Sequence, residues 1–207
     1  MNVNGTVKTF VITFIAQTST ITLKNFILIL LIFIGQKAFS QQGLLPLNDK
    51  KQVYYADSGT PKKTKSEIFQ EAQNWISKTF GNYQNAVTFE DPALGKLILT
   101  SYAPVSSVTY EYVRFDLTIE CQDERYNVHV DQVDGISTIH SPVRLGAKDN
   151  DAITEKRVAV KTEQNKKKRA EAEDALKNAE SDLEGINNAI YKLMSDLKVQ
   201  LTSPGKQ

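Results

Sequence analysis

The chain holds one cysteine, one tryptophan, two methionines and two histidines among 207 residues. A single cysteine, Cys121, cannot close an internal disulfide, so the fold must be held by packing. Two histidines, His129 and His140, are too few for a histidine-rich metal centre. G-x-S-x-G, the P-loop, G-x-G-x-x-G and H-E-x-x-H are all missing, which removes the common local signatures of hydrolase, nucleotide and zinc chemistry. No apolar run approaches the roughly 20 residues of a membrane span. Lys and Arg number 25 against 24 Asp and Glu. That balance carries no electrostatic argument for nucleic acid or an anionic membrane.

Acidic residues are absent before Asp49, and the most apolar stretch, Phe26 to Ile34, lies in that segment. Its nine residues fall within the roughly 7–15 of a secretory signal core. Lys24 flanks it on the amino side. Ala38 and Ser40 place small residues at −3 and −1 of a cut after Ser40. Residues 1–40 therefore read as a signal peptide, and the mature chain as exported, periplasmic or secreted, without a transmembrane segment. No cysteine lies near the cut, so no lipid anchor is expected. A signal starts only a few residues before its apolar core, yet 25 residues precede Phe26. Leu23 as an alternative start explains this and makes residues 1–22 an over-extended gene start.

The mature chain divides near residue 148. Thr64-Lys65-Ser66-Glu67 has the form of a capping box, and Ile68, Phe69, Ala72, Trp75, Ile76 and Phe80 follow at helical spacing, with Gly81 to end the helix. Gln52–Ala56 reads as a short strand. "AVTFE" and "KLILTSY" flank the turn Asp91–Gly95. In "VTYEYVRFDLTIEC", Val113, Phe115, Leu117, Ile119 and Cys121 point one way. Tyr110, Tyr112, Arg114, Asp116, Thr118 and Glu120 point the other. Tyr126, Val128 and Val130 alternate with Asn127, His129 and Asp131. Such alternation predicts an antiparallel sheet with one covered and one wet face. Cys121 falls on the covered face, as an inert core residue.

This order of elements carries a resemblance. "QVYYADSG", "TKSEIFQEAQNWISKTF", the turn in "EDPALGKL" and the hairpin "YVRFDLTIECQDERYNVHVDQV" resemble the secreted bacterial domain of unknown function numbered 4468, described as having a TBP-like fold. The resemblance spans about residues 47–140, within a domain drawn as 47–147. It implies an α+β fold, an antiparallel sheet with a helix packed on one face. It implies no reaction and no catalytic residues.

Residues 148–207 read as a charged helical extension. Leu176, Ala179, Leu183, Ile186, Ile190, Leu193 and Leu197 repeat at alternating spacings of three and four, a heptad pattern over 176–197. One reading is self-association, or association with an envelope protein, through Leu176, Leu183, Ile186, Ile190, Leu193 and Leu197. The other is a helix laid on its own domain. Glu180, Asn187 and Met194 at e, and Asp182, Ala189 and Asp196 at g, do not oppose one another in charge. Ala189, Met194 and Leu201 broaden the stripe as a globular surface requires. Whether the helix projects or folds back over the sheet stays open. Lys166–Arg169 is followed by Glu171, Glu173 and Asp174, a solvated helix face and not a nucleic-acid patch.

On the wet face Tyr110, Tyr112, Arg114, Asn127 and His129 form a mixed aromatic and polar surface, and exposed Tyr and Arg are favoured at binding hot spots. No catalytic residue, cofactor or metal site is assigned. The functional expectation is an exported, non-enzymatic binding or structural protein of the bacterial cell envelope. The competing class is a metal-dependent or hydrolytic envelope enzyme working from His129 and Asp131, with Asp116 across the hairpin. N-terminal sequencing of the unprocessed precursor is expected to begin at residue 23; a precursor beginning at Met1 contradicts the alternative start.

Overall fold

The computed structural model describes residues 43–203, so the signal-peptide and gene-start readings lie outside the described residues. Six strands form one antiparallel sheet: β1 (Tyr55–Gly59), β2 (Val87–Asp91), β3 (Lys96–Pro104), β4 (Tyr112–Gln122), β5 (Arg125–Ile136) and β6 (Val143–Arg144). Their order is β1-β5-β4-β3-β2, and β6 pairs with β5. The helices are α1 (Lys65–Phe80), the single turn α2 (Tyr83–Ala86), α3 (Ala147–Thr162) and α4 (Lys166–Thr202). The architecture is α+β.

Helix α1 forms where the capping box predicts it. The Thr64 hydroxyl accepts from the Glu67 amide and the Glu67 carboxylate accepts from the Thr64 amide, satisfying two free donors at the helix start. These hydrogen bonds hold the exposed Glu67 carboxyl below the usual range. Ile68, Phe69, Ala72, Trp75 and Ile76 are buried against the sheet. Gly81 ends the helix at φ 77°, a left-handed conformation that costs glycine little.

The alternation in β4 is real. Val113, Phe115, Leu117, Ile119 and Cys121 are buried in the core with Tyr126, Val128 and Val130 of β5. Burial pushes the Cys121 thiol up to about 12, as befits an inert core sulfur. In β5 the phase then shifts. Asp131 pairs with Asp116, but Asp134 pairs with Arg114, so Gln132 and Val133 together oppose Phe115. This is a β-bulge, with Gln132 at φ 51°. It returns Val133 to the core and sets Asp134 on the wet face.

Some boundaries differ from the sequence reading. β1 begins at Tyr55 and not at Gln52, because Gln52 and Val53 make isolated bridges to Gly146 and Leu47. The helical tail is two helices, parted at Glu163–Asn165. The Asn165 side chain caps α4 by accepting from the Lys167 and Lys168 amides.

The larger difference is the destination of the tail. The described residues 43–203 fall in one compact unit, with no division near residue 148. Leu183, Ile186, Ile190, Leu193 and Leu197 are buried in the same core as α1 and the sheet, and Leu176 is packed partly against it. The stripe read as an association helix is thus covered by its own domain. Helix α4 lies on the α1 side, and among the described residues no helix covers the wet face. The Tyr55 hydroxyl donates to Asn187 Oδ1 at 2.8 Å. Lys198 pairs with Asp57 at 3.0 Å, and Gln200 bonds Glu71. The amino-terminal part of α4, Lys166 to Ala175, is almost wholly exposed. Just beyond that segment α4 pairs with α3, where Arg157 meets Glu180 at 2.7 Å.

Two residues fix α4 on the β3–β4 loop. Asp182 is 8% exposed, and its carboxylate accepts from the Ser107 hydroxyl (2.7 Å), the Val108 amide (2.6 Å), the Thr109 amide (3.0 Å) and the Thr109 hydroxyl. Gly185 lies so close to that loop that an added Cβ would sit 2.2 Å from the Ser106 carbonyl oxygen. A mid-helix glycine costs about 1 kcal/mol relative to alanine, so Gly185→Ala should stabilise a free helix. Here it is expected to destabilise the protein by about 2 kcal/mol, as overpacking against backbone does. Asp182→Ala, which removes the shared acceptor of four hydrogen bonds from the half-exposed loop, is expected to cost about 2 kcal/mol. Thermal unfolding of both variants checks this; a Gly185→Ala protein more stable than the parent contradicts the docked helix.

Candidate binding face

The wet face is built by the side chains that alternate away from the core. Across it the strands align Lys96 with Glu120 and Asn127, Ile98 with Thr118 and His129, Thr100 with Asp116 and Asp131, and Tyr102 with Arg114, Asp134 and Arg144. Pro104, Tyr112 and Ile136 form the last row.

The strongest polar element lies near that end. Asp134 is 6% exposed and sits between two guanidiniums. Arg114 Nη1 donates to its Oδ2 at 2.8 Å, and Arg144 Nε donates to its Oδ1. Arg144 also reaches the Gln132 side chain. A charge taken so far from water needs such partners. The Asp134 carboxylate and its neighbours raise the Arg144 guanidinium above its ordinary range. Tyr102 and Tyr112, 55% and 48% exposed, stand in the same row and the next. The result is a fixed guanidinium beside two accessible phenol rings.

The five residues read from the sequence do not form one site. Tyr112 and Arg114 share this end. Asn127 and His129 lie toward the other end. Thr118, opposite His129, is six residues beyond Tyr112 on β4, or about 20 Å at ~3.3 Å per residue. Tyr110 is not on the wet face at all. It precedes β4, packs partly against the core, and lies where a Cβ on Gly135 would meet its ring at 2.5 Å. The sheet alternation does not extend to Tyr110 because the chain bends before Tyr112. Burial, and the nearby carboxylates Asp149 and Asp182, raise its phenol.

The sequence reading missed Tyr102, Asp134 and Arg144. Tyr102 was legible, since Lys96, Ile98, Thr100 and Tyr102 alternate toward this face. Asp134 was hidden by the bulge, whose only trace is the V-x-V-x-x-V spacing of Val128, Val130 and Val133. Arg144 follows a loop and carries no periodic signal.

His129 and Asp131 do share the wet face. The His129 ring stacks on Tyr54 with centroids 5.3 Å apart at 26°. Asp131 faces Asp116, whose carboxylate accepts from the Thr100 hydroxyl at 2.6 Å. Among the described residues no group of three His, Cys, Asp or Glu is placed to hold a metal ion.

Partial burial raises the Asp131 carboxyl above its ordinary value; Asp116 adds to the rise, while His129 and Arg144 oppose it. A carboxyl raised in the folded state binds its proton more tightly there than in the unfolded chain. Its ionisation therefore lowers stability as pH rises through the unfolded value, about 3.9, to the folded one, and the loss persists above. Asp131→Asn removes this loss and the like-charge pair, which is worth a few tenths of a kcal/mol to about 1. The variant is expected to melt higher than the parent at pH 7, with the difference disappearing below about pH 4, where the carboxyl is protonated. A constant difference at all pH values contradicts the assignment.

Comparison with known proteins supports the fold. Residues 54–134 match a domain of unknown function, DUF4468, described as having a TBP-like fold. The chain is similar to the crystal structure of a DUF4468 family protein from Bacteroides ovatus, with a TM-score of 0.53 at 15% identity. That likeness covers 83% of this chain and 99% of the other, a share that requires part of the C-terminal helices. A TBP-like protein from Parabacteroides distasonis is similar with a TM-score of 0.46 at 14% identity, over 74% of this chain and 96% of that one. No curated protein matches. The resemblance carried by the capped helix and the two hairpins is thus borne out: residues 54–134 carry the pattern of the DUF4468 domain, and the fold is TBP-like.

Proposed function

We propose that the chain is an exported, non-enzymatic binding protein of the bacterial cell envelope that engages a protein partner through the open face of its sheet. One observation carries this reading. The helices cover one face, while the other presents Tyr102 and Tyr112 beside an Arg114 held in place by buried Asp134. Tyr and Arg on a rigid support bind with little loss of side-chain freedom, and they dominate protein-recognition hot spots. The broad face suits a protein surface. Export is supported by the signal-like sequence before residue 41.

The position of the partner on this face is testable with a photo-crosslinking residue at position 112 and a control at Tyr191, which is exposed on the helical side. One envelope protein is expected to crosslink from position 112 and not from 191. The Tyr102→Ser/Tyr112→Ser variant is expected to weaken the same complex by at least about tenfold, or 1.4 kcal/mol. Equal crosslinking from both positions contradicts the reading. The enzymatic alternative is separated by His129→Ala and Asp131→Ala, which cost an enzyme its activity or metal and leave the complex intact.

A further inference from the structure

Strand β5 has one edge wholly paired with β4, while its other edge is shared by two strands. β1 pairs with residues 126–130, and β6 pairs with Asp134 and Gly135. Between them, among the described residues, Asp131 and Gln132 pair with no strand on this edge, Val133 accepts from the Leu145 amide at 3.0 Å, and the bulge falls in this gap. The segment Lys51–Val53 and the start of α3 close around it through the Gln52–Gly146 bridge and the bond from the Ala147 amide to the Lys51 carbonyl. The gap is a cavity of about 290 Å³.

Its lining has two parts. Val53, Val133 and Leu145 are almost fully buried and make an apolar floor. Lys51, Arg144 and Lys148 supply positive charge around the mouth, and Asp131 is the one acidic lining residue. Arg144 is engaged by Asp134 and Gln132. No ion pair or side-chain hydrogen bond occupies the ammonium of Lys51 or Lys148 among the described residues. Among the described residues, two of the three non-glycine positions with positive φ, Lys51 (60°) and Gln132 (51°), line this same cavity. Left-handed backbone at non-glycine positions is uncommon, and such outliers gather at ligand sites. The start of α3 does not add to this charge, because the Asp149 carboxylate accepts from the Gly146 amide at 2.7 Å and the Ala147 amide donates to the Lys51 carbonyl.

We infer that this notch binds a small organic oxyanion, its carboxylate or phosphate group held by Lys51 and Lys148 and its apolar body on Val53, Val133 and Leu145. Cation placement, an apolar floor and a volume near the lower end of ligand pockets agree on that class. The site is distinct from the tyrosine face, and its test does not depend on that reading.

The test titrates the chain, as isolated, with succinate and separately with inorganic phosphate, following backbone amide shifts. Saturable shifts are expected at Gln52, Gln132, Gly146 and Lys148. Saturation by succinate alone assigns a carboxylate site, and by phosphate alone a phosphate site. Raising salt from about 20 mM to about 300 mM is expected to weaken binding, because it shortens the screening length around exposed lysines. In Lys51→Asn/Lys148→Gln, affinity is expected to fall about tenfold or more. Asn tolerates the left-handed backbone at position 51, so the fold is retained. Tyr102→Ser/Tyr112→Ser is expected to leave the titration unchanged. No saturable shift at these amides, or equal affinity in the lysine double variant, overturns the inference.

Discussion

The contact between the middle of α4 and the β3–β4 loop determines how the rest of the molecule is arranged. Asp182 accepts hydrogen bonds from both amides and hydroxyls of that loop, and Gly185 admits its backbone where no side chain fits. Together they fix the helix in register and in rotation. From that point its apolar stripe, Leu183 to Leu201, can run only along the sheet and α1. A helix of 37 residues spans about 55 Å. Its two halves therefore live in different surroundings: the second half completes the core, and the first stands in solvent beside α3.

The consequence is a sheet with unequal faces. Trp75, Phe115 and the aliphatic residues of β3 to β5 are sealed between the strands and two helices. On the other side no helix is packed among the described residues, and there the charged and aromatic residues stabilise one another. Asp134 shows how. Its carboxylate is nearly buried, which is tolerable because Arg114 and Arg144 approach from opposite sides. The same ion cluster holds Arg114 beside Tyr102 and Tyr112, which is what makes this end of the face a rigid platform. The bulge at Gln132 contributes twice, turning Asp134 onto the platform and interrupting the edge of β5 where the cationic notch opens.

What was legible in the sequence is what local chemistry dictates. The Thr64–Glu67 box is a contact between residues three apart, and the alternation through β4 is a property of one strand. Both survive in the structure with their residues unchanged. The misreadings arise where distant segments decide. Tyr110 continues the alternation on paper, yet the chain bends before Tyr112 and the ring packs over Gly135. The heptad in α4 is compatible with a second helix or with a sheet, and only the loop that receives Asp182 separates the two. A lone glycine inside an otherwise strong helix was the available sign, because such a residue is retained where another backbone must approach. The break at Asn165 was similarly legible as a capping residue, although no Gly or Pro marks it.

Hydrogen exchange of the native chain tests most directly whether α4 is part of the domain. Amides from Leu183 to Leu201 are predicted to exchange as slowly as those of β4 and β5, opening only with global unfolding, while those from Lys166 to Ala175 exchange much faster. Rapid exchange along the whole of α4, with the sheet still protected, would contradict the account. The helix would then be an appendage, and the closed face of the sheet would have to be covered by something else.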